Sequence, residues 1–184
     1  MRAFLDTCVI YPTVMREMLI GAAKLGLYEP QWSERVLEEW VRAARKLGPE
    51  GEALARGDRA LLESQFPKAA VRYGDGLEAR LWLPDENDRH VLAGAISGSA
   101  DVIVTVNAKD FPRHILAEEG VSRADPDLFL LGFFEADPDA VIEVARGVLD
   151  TAQRLSGEDW TIRALMKKAR LPRLGKALAE GDIL

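Results

Sequence analysis

Two apolar segments of the chain predict buried strands. Ala3, Phe4 and Leu5 lead directly into Asp6, which predicts a short strand whose carboxyl end presents an aspartate. Residues 102–106 read Val-Ile-Val-Thr-Val. This segment is rich in β-branched residues and lacks a polar face, so it predicts a strand covered on both sides, as in a parallel sheet.

Apolar residues at helical spacing predict most of the remaining elements. Ser33 is suited to begin one helix and Asp85, with Asp88 three residues later, to open another. Gly26, Gly48 and Gly98 are placed to end helices. The predicted helices span 13–25, 33–48, 88–97, 127–135, 139–155, 159–169 and 173–180.

Two stretches have a less regular pattern. Residues 50–66 predict helical turns broken at Gly51 and Gly57, because glycine disfavours a helix interior. Residues 77–83 predict a strand or an extended segment. Strands alternating with helices indicate an α/β fold. We expect one α/β domain over residues 1–135 and a helical C-terminal extension over residues 136–184.

Composition narrows the class of protein. The chain has 184 residues and a single cysteine, which excludes an internal disulfide and a cysteine-rich zinc site. No apolar run approaches the roughly 20 residues that a membrane span needs, and the first residues lack the apolar region of a signal peptide. The sequence therefore predicts a cytoplasmic protein without a membrane partner. Cys8, beside a strand end, is interpreted as a buried small hydrophobic residue.

The charge of the chain is unevenly distributed. The net charge is −6, yet residues 161–184 contain six cations and two acids, so the first 160 residues carry −10. A nucleic-acid-binding protein is usually basic overall, so any such function must depend on a local site. The basic block 163–176 is interpreted as a solvated helix face, with contact to phosphates or to an acidic partner segment as the alternatives.

Acidic and polar side chains follow both predicted strands. Asp6 ends the first strand, and Thr105, Asn107 and Asp110 come at or just after the end of the second. Ligands of open parallel sheets bind at the carboxyl ends of the strands. Asp88 begins a helix that a loop would bring to the same edge.

Glu38 and Glu39 are further candidate acids, and helical periodicity does not separate them. His90 and His114 are interpreted as packing or surface residues rather than as ligands.

Carboxylates gathered at one edge repel each other, so protons or a cation must compensate their charge. Two carboxylates about 5 Å apart repel by roughly 3 kcal/mol at an effective dielectric near 20. Hard divalent cations such as Mg²⁺ and Mn²⁺ prefer oxygen ligands of this kind. A bound cation would also activate water and polarise a phosphoryl oxygen, so the pattern favours metal-assisted phosphoryl chemistry.

Four segments of the chain resemble the motifs of PIN-domain nucleases, in the same order. Residues 4–10 look like the opening strand of that family, and residues 33–40 resemble its second, acidic helix. Residues 84–95 and 100–111 are similar to its third and fourth motifs. The resemblance covers about residues 1–135. It implies a PIN-like three-layer α/β fold with a central parallel sheet and flanking helices.

The resemblance also implies an activity and its partners. PIN-domain proteins of this kind are Mg²⁺- or Mn²⁺-dependent endoribonucleases, often the VapC-type toxin of a toxin–antitoxin pair. The expected partners are an RNA substrate and a cognate antitoxin protein. Homodimers are frequent in the family, and the apolar run from Leu128 to Phe134 is either a dimer interface or core.

The implied site follows residue by residue. Asp6, Glu39 and Asp88 match the first three family acids. For the fourth position, Asp110 matches one family pattern, and Asn107 stands where many members have aspartate and could ligate through its carbonyl. The expected catalytic and metal-binding set is Asp6, Glu39, Asp88 and Asp110, with Asn107 as a further metal ligand. Thr105 and Asp85 are expected to support the site, and Arg89, Lys109 and Arg113 to hold the substrate.

Two other functions are compatible with an aspartate at the end of the first strand. The first is a catalytically degenerate PIN fold that binds RNA or protein, which the substitution at Asn107 keeps open. The second is a haloacid-dehalogenase-like phosphatase, which also begins with an aspartate at a strand end. Those enzymes have a second aspartate two residues later, where this chain has Cys8, and this difference argues against them.

Overall fold

The computed structural model describes residues 1–180; the last four residues of the predicted C-terminal extension lie outside the described residues. Five strands are present there: β1 (Arg2–Leu5), β2 (Glu29–Ser33), β3 (Ala70–Val71), β4 (Val102–Val104) and β5 (Ser122–Ala124). The helices are α1 (Thr7–Ile10), α2 (Thr13–Lys24), α3 (Glu34–Ala44), α4 (Pro49–Gln65), α5 (Asp75–Arg80), α6 (Arg89–Ser97), α7 (Arg113–Glu118), α8 (Pro126–Ala136), α9 (Pro138–Ser156), α10 (Ile162–Lys168) and α11 (Pro172–Ala179). Two 3₁₀ turns cover Arg45–Leu47 and Glu86–Asp88.

The strands form one parallel sheet in the order β3-β2-β1-β4-β5. In the register, Leu5 of β1 lies opposite Val104 of β4. The direction of strand addition reverses between β1 and β4, which makes the carboxyl ends of these two strands the expected binding edge. The parallel sheet with flanking helices confirms the predicted α/β, PIN-like fold class.

Close packing of α6 on β1 fixes the centre of the sheet. Phe4 and Ile103 are fully buried in neighbouring strands. A Cβ atom built on Gly94 of α6 would lie 2.5 Å from the ring of Phe4, so glycine lets the helix approach the strand. This contact places the start of α6, where Asp88 lies, relative to the end of β1.

The chain forms two compact units. The sheet unit contains Met1–Tyr11 and Glu29–Ala124. The helical unit contains Pro12–Tyr28 and the chain from Asp125 onward, and therefore comprises α2 and α8 to α11. The domain boundary predicted near residue 135 stays a prediction.

Aromatic packing and a buried acid organise the helical unit. The rings of Tyr28, Phe129 and Phe133 lie 4.9 to 5.7 Å apart between centroids. Asp127 is buried, and its two carboxylate oxygens accept hydrogen bonds from the backbone N–H groups of Arg173 and Leu174 at 3.0 and 2.9 Å. Asp127 thus satisfies N–H groups in the first turn of α11, which have no partner within the helix.

Several predicted elements are confirmed. The strand ending at Asp6 and the core of the strand at 102–106 are present, and so are the predicted helices. Ser33 caps α3, its hydroxyl accepting from the N–H of Val36 at 3.3 Å. In the described part of the chain, the longest apolar helical stretches fall short of what a membrane crossing requires.

Other expectations were wrong. Residues 50–66 form the continuous helix α4, because Gly51 and Gly57 each weaken a helix by only about 1 kcal/mol and its neighbouring residues are strong helix formers. Residues 77–80 belong to α5 rather than to a strand, whereas residues 81–83 have no regular secondary structure and Leu81 is extended. The helix α7 and the strands β2, β3 and β5 had not been predicted.

Candidate active site at the carboxyl edge of the sheet

Asp6 lies where the central strand ends and is 6% exposed. Its backbone N–H donates to the carbonyl of Val104 on the neighbouring strand at 3.2 Å. Its Oδ2 accepts hydrogen bonds from the hydroxyl of Thr105 at 2.7 Å and from the thiol of Cys8 at 2.9 Å. The parallel register therefore delivers an oriented carboxylate to the edge at which β1 and β4 end.

Cys8 takes part in this hydrogen-bond network, which corrects its interpretation as a buried hydrophobic residue. Its Sγ accepts from the N–H of Val106 at 3.4 Å and lies 3.3 Å from the hydroxyl oxygen of Thr105. Burial, and then the charge of Asp6, raise the pKa of the Cys8 thiol to about 12. The thiol therefore stays protonated and serves as a donor to Asp6.

Glu39 is held by three donors. Its Oε2 accepts from the hydroxyl of Thr7 at 3.0 Å, and its Oε1 accepts from Nε of Arg35 and lies near Nε2 of His90, each at 3.2 Å. Burial alone would raise the pKa of Glu39, but the hydrogen bond and charge of His90, together with the other two donors, lower it. Glu39 is thus ionised and oriented by protein groups.

The structure separates the two candidate glutamates of α3. Glu38 pairs with Arg59 at 3.3 Å and with Arg42 at 3.7 Å, whereas Glu39 contacts Thr7 at the carboxyl end of β1. Only Glu39 therefore joins the side chains at this edge.

His90, interpreted as a packing or surface residue, is buried, and it also contacts a residue of the candidate site. It is 2% exposed and its Nε2 contacts Glu39, so it belongs to the surroundings of the site. Its Nδ1 is buried without a hydrogen-bond partner among the described residues. The sequence carried no signal for this contact, because it depends on how α3 and α6 pack. His114, in contrast, is exposed.

Asp85, Asp88 and Asp110 form a compact acidic cluster. One carboxylate oxygen of each lies within 4.8 Å of the others. Asp85 caps the 3₁₀ turn by accepting from the N–H of Asn87 at 2.9 Å. Asp110 follows a turn in which its N–H donates to the carbonyl of Asn107 at 3.2 Å. The sequence had proposed Asp85 as a capping residue, and the structure also brings it into the cluster.

Asp88 has a buried carboxylate oxygen that the described residues do not compensate. Its Oδ2 is buried and has no hydrogen-bond partner in residues 1–180. Burial, followed by the charges of Asp6, Asp85 and Asp110, raises the pKa of Asp88 to about 6. The same charges show that Asp6 lies close enough to the cluster to influence it.

The donor set fits a hard divalent cation. The three clustered side chains offer carboxylate oxygens at short mutual distances, and the buried oxygen of Asp88 has no hydrogen-bond partner in the described part of the chain. Mg²⁺ and Mn²⁺ prefer such oxygen ligands. A cation would also relieve the repulsion that raises the pKa of Asp88.

The three cations expected to hold a substrate differ in their surroundings. Lys109 and Arg113 are exposed. Arg89 is partly buried, pairs with Glu86 at 2.8 Å, and has an Nε without a partner among the described residues. Arg35 had not been predicted, although its spacing of four residues from Glu39 is a detectable helical pair. It joins Glu39 to Glu78, the latter at 3.0 Å.

A groove of about 910 Å³ borders Glu39 within the sheet unit. Arginine and tyrosine side chains line it together with acids, among them Arg35, Arg42, Arg72 and Tyr73. The groove is large enough to admit part of a polymeric substrate next to the acidic edge.

Comparison with known proteins agrees with this geometry. A family model described as PIN domain matches residues 2–109, a segment that contains Asp6, Glu39 and Asp88. A protein of Mycobacterium tuberculosis (strain ATCC 25618 / H37Rv) named "Putative ribonuclease VapC50" is 41% identical over 63 residues. The aligned segment covers 34% of this chain and 37% of that relative. No solved structure shows a significant match.

Proposed function

This chain belongs to the PIN domain family, and from that premise we propose that it is a divalent-metal-dependent endoribonuclease that hydrolyses RNA phosphodiester bonds. The observation that carries the proposal is the position of Asp88, which clusters with Asp85 and Asp110 and whose pKa is also raised by the charge of Asp6. The name of the mycobacterial relative supports RNA as the substrate.

We assign the metal-binding role to Asp6, Glu39, Asp88 and Asp110, with Asn107 as an additional oxygen ligand. A bound Mg²⁺ or Mn²⁺ would supply an activated water and would polarise the phosphoryl oxygens. Thr105 supports the site by holding Oδ2 of Asp6. Asp85 supports it by orienting the turn that leads to Asp88.

The remaining residues of the site orient the carboxylate of Glu39 or supply positive charge for the RNA backbone. Arg35, Thr7 and His90 hold the carboxylate of Glu39 so that little reorganisation is needed when substrate arrives. Arg89, Lys109 and Arg113 lie near the site in sequence, and each can offer N–H donors to the RNA backbone. Lys109 and Arg113 are exposed and present their charges to solvent, where such a contact can form.

We further propose that the protein is the toxin of a toxin–antitoxin pair and that a cognate antitoxin protein restrains it. Induced expression in bacteria should then slow growth, and the Asp6→Asn variant should not. Equal growth inhibition by the two forms would contradict the toxin role. A homodimer is a further proposal, tested by light scattering on the purified chain.

An RNA cleavage assay tests the enzymatic proposal. The wild type should cleave single-stranded RNA with Mn²⁺ and lose activity with EDTA. Asp6→Asn and Asp88→Asn should each lower the rate by about a hundredfold or more, since each removes a charge at the reacting centre. Asp150→Asn, an exposed change on α9, is the matched control. Full activity of either site variant would refute the mechanism.

The alternative is a catalytically degenerate PIN fold that binds RNA or protein. The observation that favours it is Asn107, which stands at the strand end where many family members have aspartate. Calorimetric titration with Mn²⁺ separates the two proposals. A degenerate site that does not bind Mn²⁺ should release no heat. If the protein is the proposed enzyme, the wild type should bind Mn²⁺ and the Asp88→Asn variant should not.

A further inference from the structure

The last two helices of the helical unit carry a group of cations that the candidate site does not use. The family match ends at residue 109, so it does not account for them either. We call this group the basic surface. It consists of Arg163, Lys167, Lys168, Arg170, Arg173 and Lys176.

These cations are exposed, and most of them have no ion-pair partner among the residues that the structure describes. Lys176 pairs with Glu180 at 3.5 Å. Arg163, Lys167, Arg170 and Arg173 make no ion pair within residues 1–180. The many surface arginines of the sheet unit behave differently, since Arg45 and Arg80, for example, each pair with a glutamate.

The unpaired state of these cations is unusual because the rest of the chain is acidic and could supply partners. A solvated helix face normally mixes both signs, with acids one turn from the cations. Residues 163–176 contain no acid. Within residues 1–180, this part of the chain therefore concentrates positive charge that is mostly unpaired, in a protein whose net charge is −6.

Helical geometry arranges these cations on solvent-facing sides. Arg163 and Lys167 are four residues apart on α10, a separation of about 6 Å along the axis, and Leu165 and Met166 occupy the buried side. On α11, Arg173 and Lys176 lie away from the buried Leu174. Rows of cations at such spacing suit a chain of phosphates.

An aromatic ring adjoins the basic surface. Trp160 is partly exposed, its Nε1 donates to the hydroxyl of Ser156 at 3.1 Å, and Nζ of Lys168 lies 4.5 Å above the ring centroid. Trp160 and Lys168 also line a cavity of about 470 Å³ together with Met15 and Leu165. A fixed aromatic ring beside cations is a combination on which bases of single-stranded nucleic acid stack.

We propose that the basic surface, together with Trp160, binds single-stranded RNA and raises the affinity of the protein for its substrate. The cations contact phosphates and the indole ring stacks on a base. The proposal rests on the proposed function for the identity of the polyanion. The aromatic ring favours RNA over an acidic protein segment, because a stacking platform serves bases and not carboxylates.

Fluorescence anisotropy with a labelled single-stranded RNA tests this in EDTA, where no cleavage occurs. The variant Arg163→Gln/Lys167→Gln/Arg173→Gln removes three cations of the basic surface. The control Arg45→Gln/Arg56→Gln/Arg80→Gln removes three from the sheet unit, with the same change in net charge. Thermal melting of both variants establishes that they are folded.

The expected result is a change in salt dependence. Each lost phosphate contact should reduce the slope of log affinity against log salt by about 0.7, so the first variant should lose about 2. Over a fourfold rise in salt, the wild type should therefore weaken about 20-fold more than this variant. The control should keep the wild-type slope. Equal slopes for the basic-surface variant and the wild type, or an equal loss in the control, would overturn the proposal.

Two further measurements test whether the partner of the basic surface is RNA. Trp160→Leu should weaken RNA binding about tenfold without changing the slope, because stacking is not a charge contact. Polyglutamate at equal charge concentration should compete at least about tenfold less well than unlabelled RNA. Equal competition would show that the surface does not distinguish RNA from an acidic polypeptide and would overturn the proposal that RNA is its specific partner. Because binding is measured without metal, it can hold when RNA cleavage fails, and cleavage can hold when this surface proves irrelevant.

Discussion

Replacing Asp88 with asparagine tests whether the acidic cluster destabilises the protein in the absence of metal. The carboxyl of Asp88 lies close to those of Asp85 and Asp110 and is influenced by the charge of Asp6, and its Oδ2 is buried without a partner in the described chain. Burial and these charges raise its pKa from 3.8 to about 6. Asparagine keeps the shape of the side chain and removes the charge.

The pKa shift sets the size of the effect. A rise from 3.8 to about 6 corresponds to about 3 kcal/mol, and solvent screening at a half-buried group reduces this to roughly 1–2 kcal/mol. The folded state binds the proton more tightly than the unfolded state, so the wild type loses stability as the pH rises from about 4 through about 6. Above that range the full penalty is present.

Urea unfolding in EDTA measures this penalty. At about pH 8 the Asp88→Asn variant should have a free energy of unfolding roughly 1–2 kcal/mol above that of the wild type, and the difference should shrink towards pH 4. Asp150→Asn should show no such gain. A variant less stable than the wild type at pH 8, or a difference independent of pH, would refute the reasoning.

Adding Mn²⁺ should reverse the order of stability. A ligand that binds only the folded state stabilises it by about 2.7 kcal/mol at a concentration 100 times its Kd. The wild type should gain this stabilisation, and Asp88→Asn should gain much less because it lacks a ligand. Equal gains in the two proteins would show that Asp88 does not bind the cation.

Three backbone and capping predictions follow from the fold. Gly57→Ala should raise the free energy of unfolding by up to about 1 kcal/mol, since nothing lies within 4 Å of the added Cβ in α4. Gly94→Ala should lower it by about 1–3 kcal/mol, because its Cβ would meet Phe4 at 2.5 Å; a gain from Gly94→Ala would contradict the tight packing of α6 on β1. Asp127→Ala should destabilise the helical unit by roughly 1–3 kcal/mol, as two N–H groups of α11 lose their acceptor, and amide hydrogen exchange of α11 would show whether the loss is local.

The strands that could be predicted are those whose residues are apolar on both faces. β1 and β4 lie in the middle of the sheet, and their buried residues form uninterrupted apolar runs. β2 reads Glu-Pro-Gln-Trp-Ser and β5 reads Ser-Arg-Ala, so neither has a recognisable period. These strands exist because a neighbour offers a partner for their backbone, which is tertiary context rather than local preference.

The candidate site also contains some features that the sequence predicts and others that depend on tertiary packing. Asp6, Asp88 and Asp110 could be proposed from the ends of predicted elements, because parallel strands bring their carboxyl ends to one edge. The choice between Glu38 and Glu39 depended on the rotation of α3, which a helical pattern with two adjacent acids does not specify. The bonds from Cys8 and Thr105 to Asp6 could not be predicted, since Thr105 is 99 positions away in the sequence and its orientation follows from the sheet register.

The hydrogen bonds of the site indicate where a cation would contribute most. Asp6 and Glu39 are already compensated by protein donors, two for Asp6 and three for Glu39. Asp88 has an oxygen that receives no hydrogen bond from residues 1–180, and its pKa is raised. The first two carboxylates therefore need little reorganisation, while Asp88 gains most from a positive charge. In the proposed metal site, Asp6 and Glu39 would keep their geometry without metal, and the affinity for the cation would come from relief of repulsion around Asp88.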